Sequence, residues 1–114
     1  MSKTKNSRTP SGMSAGLMDK LSKMRGEMME AQDALAEERL TVSVGGEAVT
    51  VVIDGQQRFH HIEISKEALA AAQTDHELLQ DLIVTALNTA LEQSQALAAQ
   101  KLQSITGGLN LPTF

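Results

Sequence analysis

Two apolar stripes in this chain are longer than anything else it encodes, and they limit what it can fold into. In residues 14–38, Leu17, Leu21, Met24, Met28, Ala31 and Leu35 recur at spacings of 4, 3, 4, 3 and 4, the seam of a coiled coil. Met18, Met29 and Ala36 form a second row, about 100° round the same helix. Gly26 is the weak point, at ~1 kcal/mol relative to alanine. Near the other end, Thr74-Asp75-His76-Glu77 fits a capping box, Thr74 to Glu77. It opens a helix to about Ser104, with Leu79, Ile83, Ala86, Ala90 and Leu97 in one row and Leu87, Leu91, Ala98, Leu102 and Ile105 in the next. Gly107-Gly108 stops it.

Between the helices the period changes to two. Leu40, Val42 and Val44 share one face of a strand over 40–44; Val49, Val51 and Ile53 share one face of a second over 47–54. A third, over 58–64, puts Arg58, His60, Ile62 and Ile64 on one face and Phe59, His61 and Glu63 on the other. Gly45-Gly46 predicts a two-residue hairpin and Asp54-Gly55-Gln56-Gln57 a second turn. Residues 65–72 add a short helix with Ser65 as N-cap. The expected class is α+β: long N-terminal helix, three-stranded antiparallel meander, short helix, long C-terminal helix. Residues 1–12 read as a disordered basic tail, 13–106 as one domain and 107–114 as a C-terminal tail.

Lengths then bear on assembly. The two long helices span about 38 and 45 Å at ~1.5 Å per residue, the strands only ~17–27 Å. The stripes outrun the sheet and leave an apolar strip that a monomer rarely exposes; a symmetric dimer is the simplest closure. Leu17, Leu21, Met24 and Met28 are the expected dimer seam, with Met18 and Met29 as adaptable contact surface.

Charge is as uneven as hydropathy. Net charge is -4, yet residues 1–25 hold Lys3, Lys5, Arg8, Lys20, Lys23 and Arg25 against Asp19, a balance of +5, and the remainder stands at -9. Those six cations are the candidate phosphate contacts, gripping a duplex backbone without reading bases. Cations at a helix start oppose its dipole, which makes a purely structural role less attractive. The acidic body instead suits an adaptor whose helices bind a protein and not DNA. The residues alone leave both readings open.

Several classes are excluded. There is no Cys for a disulfide or thiolate metal site, and no Trp or Tyr to stack single-stranded bases. No apolar run approaches the ~20 residues of a membrane helix, and the N-terminus lacks a signal-peptide core; a cytoplasmic protein is expected. His60 and His61 are adjacent in a strand and face opposite ways, while His61 with Glu63 supplies too few ligands, so no metal is expected. No P-loop, G-x-G-x-x-G or G-x-S-x-G occurs. The chain reads as a non-enzyme, without cofactor or small-molecule substrate.

Three segments, MDKLSKMRGEMMEAQDAL, LTVSVGGEAVTVVIDGQQRFHHIEISKEAL and ELLQDLIVTALNTALEQSQ, resemble in order and spacing the YbaB/EbfC family of small bacterial nucleoid-associated proteins. The resemblance covers about residues 13–112. Its most diagnostic stretch is AVTVVIDGQQRFHHIEIS, similar to the family's valine-rich strand, Asn/Asp-Gly turn and strand ending in a polar helix cap. It implies a homodimer in which paired long helices project from a joined sheet, a shape likened to tweezers. It also implies double-stranded DNA binding with weak sequence preference, in the bacterial cytoplasm and nucleoid. Two departures stand out: the first hairpin holds only Gly45 and Gly46, and Lys101 is the one cation of the last helix.

Overall fold

A computed structural model describes residues 11–106 of the chain. Its elements are α1 (Ser11–Glu37), β1 (Leu40–Val44), β2 (Val49–Ile53), β3 (Phe59–Ile64), α2 (Lys66–Ala72) and α3 (His76–Thr106). The α+β order is the expected one. Helix α1 begins three residues before the predicted start; residues 1–10 and the Gly107-Gly108 stop lie outside the described residues.

The strands form one antiparallel sheet in the order β1-β2-β3. Val42 stands opposite Val51, Val51 opposite Ile62, and Val49 between Val44 and Ile64. Cross-strand partners share a face, so the apolar set lies where alternation put it. Val49, Val51 and Ile53 are wholly buried, packed with Ala86 and Ala90 of α3. Two alanines at the contact let the helix lie close to the pleats. The opposite face is polar, with Ser43 Oγ and Thr50 Oγ1 sharing a hydrogen bond at 2.8 Å. The result is two layers, with α3 laid over β1 and β2.

Three local expectations are corrected. The first hairpin has four loop residues, 45–48, because Gly45 already sits at φ 65° and cannot continue the ladder. Its centre is Gly46-Glu47 at φ 64° and 72°, the signs of a type I′ turn, closed by Ala48 N–H donating to Gly45 O at 3.3 Å. In β3 a bulge skips His60, so Phe59, not His60, stands opposite Ile53. Helix α3 is capped by Asp75, whose Oδ1 accepts from Leu78 N–H at 3.2 Å. Thr74 is occupied in closing α2, its hydroxyl donating to Ala71 O at 3.2 Å. The Thr74–Glu77 box therefore does not form, while Ser65 caps α2 as expected.

Arg39 ends α1 by donating from Nη1 to Ala36 O and Glu38 O, each at 2.8 Å. The C-terminal half of α1 then packs on α3 through Ala31 and Leu35, both buried. The first half runs on as an arm, in a molecule of 84 × 27 × 23 Å.

Candidate nucleic-acid interface

The arm carries the charge. Lys20, Lys23 and Arg25 are all exposed, and among the described residues none is in an ion pair. Lys20 and Lys23, three residues apart, share a flank of α1; Arg25 lies across the apolar seam. Of the six predicted phosphate contacts these three fall together; Lys3, Lys5 and Arg8 lie outside the described residues. The other cations are dispersed: Arg39 is committed to the α1 cap, Arg58 lies in the β2–β3 connection, and Lys66 and the half-buried Lys101 are on α2 and α3. Past Arg25 the surface of α1 turns acidic, with Glu27, Glu30, Asp33 and Glu37 exposed. The field that a polyanion meets therefore changes sign along one helix.

Of the expected dimer seam, Leu17 is 56% exposed, and Leu21, Met18 and Met29 are also exposed; Met24 and Met28 are half-buried. The arm is thus an apolar stripe edged by cations on both sides.

A polar knot that periodicity did not reveal fixes the base of the arm. Gly55 N–H donates to Leu35 O at 2.8 Å, tying the β2–β3 turn to the end of α1. Asp54 Oδ1 accepts from the N–H of Gln56 at 2.7 Å and of Arg58 at 3.0 Å, and Oδ2 lies 2.8 Å from His60 Nε2. Ser94, fully buried on α3, donates to Asp54 O at 2.7 Å and accepts from Gln57 Nε2 at 2.9 Å. Burial pushes the Asp54 carboxyl up, but the hydrogen bonds from His60, Arg58 and Gln56, with the charge of His60, outweigh it and hold it below the usual range. Ser94 bonds the Asp54 carbonyl and Gln57, while His60 bonds the Asp54 carboxylate. His60, expected only to face away from His61 in a strand, is part of this knot. His61 and Glu63 share a face as predicted, 3.9 Å apart. Among the described residues, no group of three His, Cys, Asp or Glu is placed to hold a metal ion, and no helix is long and apolar enough to cross a membrane.

A second apolar surface also escaped the pattern. Because α3 covers β1 and β2, the layer beneath the edge strand β3 is open. Ile62 is 47% exposed and Phe59 42%, around a hollow that Val51 and Leu87 also line. Val84, one turn before Leu87 on α3, is exposed too.

The described residues thus form a two-layer α+β unit with a basic arm, and comparison with known proteins gives its family. The model of the YbaB/EbfC DNA-binding family matches residues 11–109. A nucleoid-associated protein of Desulforamulus reducens is 40% identical over 96 residues, covering 84% of this chain and 90% of the relative. Another, from Pseudomonas fluorescens, is 35% identical over 102 residues, covering 89% and 91%. The chain belongs to the YbaB/EbfC DNA-binding family. A solved structure of an uncharacterised Helicobacter pylori protein matches with a TM-score of 0.59 at 20% identity, covering 70% of this chain and 90% of that one; this likeness concerns the fold alone.

Proposed function

We propose that the chain binds double-stranded DNA without base readout, as a homodimer, in the organisation of the bacterial nucleoid and cytoplasmic in location. The observation that carries this reading is the exposed trio Lys20, Lys23 and Arg25 on a projecting arm. Cations that make no ion pair among the described residues are available to displace counterions from phosphates. Lys3, Lys5 and Arg8 precede the arm and would add to the grip. The role is that of a binding protein, not a catalyst.

The free edge of β3 supports the dimer. Ser65 N–H donates to Ala48 O at 2.9 Å. By antiparallel alternation Glu63 turns its backbone groups toward β2, and Ile62 turns its own to the free edge. A two-fold axis at Ile62 joins two sheets antiparallel. It sets Ile62 against its copy on the face toward α3, and Glu63 against the partner's His61 on the opposite face. The same contact covers Phe59, Val84 and Leu87. The α1 seam of Leu17, Leu21, Met24 and Met28, with Met18 and Met29, was expected to pair as well and is left open by this contact. A parallel α1 pair, however, would set Lys20, Lys23 and Arg25 beside their own copies, so we assign the two-fold to β3.

The test is a titration of a short duplex at about 50 and about 200 mM salt. With six phosphates neutralised, affinity falls about 10³-fold across that range. Lys20→Glu/Lys23→Glu/Arg25→Glu should abolish binding at the higher salt. Unchanged affinity in that variant would overturn the assignment of the arm.

A further inference from the structure

The end of the molecule opposite the arm holds a groove of about 440 Å³ between the β1–β2 hairpin, α2 and the first turns of α3. Its floor is apolar, built from Ala68, Ala71, Leu78 and Leu82, and Leu78 is 50% exposed. Its rim is acidic: Glu47 on the hairpin side, Glu67 and Asp75 on the helical side. The only nearby cation in sequence, Lys66, is exposed and does not line it. An apolar trough bordered by carboxylates calls for an apolar rod bordered by cations. The arm is such a rod: Leu17, Met18 and Leu21 lie exposed, with Lys20 and Lys23 on one flank and Arg25 on the other.

A chain cannot fill its own groove. Gly45 of the hairpin meets Leu82 near the start of α3, whereas Ser94 and Leu35 tie α3 and α1 to the other end of the sheet. The arm leaves from that far end, in a molecule 84 Å long. We propose that the groove receives the α1 arm of a second copy of this chain, apolar face down and cations against Glu47, Glu67 and Asp75. This contact is separate from the β3 edge, forms without DNA, and uses the same arm cations as a duplex would, so groove and duplex compete for the arm.

The chain contains no cysteine, so a thiol pair can be introduced on a clean background. The experiment is cross-linking of full-length Leu17→Cys/Ala71→Cys with a short bismaleimide at low salt, read on a denaturing gel. Covalently joined copies are expected from the double variant and not from either single variant. The yield should fall at least fivefold with added Lys20→Glu/Lys23→Glu, and equally with added Glu47→Lys/Glu67→Lys. Mixing Leu17→Cys carrying the arm reversal with Ala71→Cys carrying the groove reversal should restore it, since the swapped charges again match. Circular dichroism melting of each variant confirms a folded chain. No joined product would overturn the proposal. So would product from Leu17→Cys alone, which would mean arm against arm, or product indifferent to both reversals, which would mean another occupant. Failure here leaves the mass of the β3 dimer untouched, so the two readings fail separately.

Discussion

Gly55 shows how little room the base of the arm leaves. A Cβ added there would lie 2.7 Å from both Leu35 Cδ2 and Leu35 O, and a backbone oxygen cannot swing aside as a side-chain tip can. Gly55→Ala should cost about 2–3 kcal/mol, read as a lower urea midpoint with an unchanged slope. Asp54 beside it makes the stability depend on pH. Its folded carboxyl binds a proton less readily than in the unfolded chain, so its contribution is complete above the ordinary carboxylate pKa of about 3.9. It is lost as pH falls through the lower folded value. Urea midpoints between about pH 5 and pH 2 should therefore drop in the native chain and vary less in Asp54→Asn. That variant should also lose about 1–3 kcal/mol at neutral pH. The Asp-Gly turn itself was legible in the sequence. Its partners were not, because Ser94 lies forty positions away and a small polar residue on a helix carries no periodic signal that it is buried.

At the scale of elements, every helix and strand was legible, α2 from its Ser65 cap and the others because each has an apolar period of its own. The ends were less so, since they depend on which of two adjacent residues wins a hydrogen bond. Thr74 and Asp75 both qualify as caps, and closure of α2 on Ala71 takes the first. Asp75→Ala should cost about 1 kcal/mol, measured by thermal melting, and Thr74→Val much less; equal losses would contradict the cap assignment. The bulge at His60 was equally hidden. Alternation assumes an unbroken ladder, and the break is fixed by the bond from His60 to a turn residue outside the strand.

For the whole molecule, the mismatch between long stripes and short strands forecast exposed apolar surface, and the arm bears it out. The second exposed surface, under β3, was not forecast, because strand alternation marks Ile62 as inward without saying whether a helix lies beneath it. At salt high enough to screen the arm–groove ion pairs, Ile62→Asp should halve the particle mass in light scattering while leaving the helical signal intact, since a carboxylate there is tolerated only at a water-exposed edge.

The central claim, two basic arms of one particle on one duplex, is tested most directly by the salt dependence of DNA affinity in the native chain and in Ile62→Asp. Each neutralised phosphate contributes a slope of about -0.9 to log K against log salt. The native chain should show about twice the slope of the single-copy variant. Equal slopes, or no binding by the native chain even at low salt, would contradict the account.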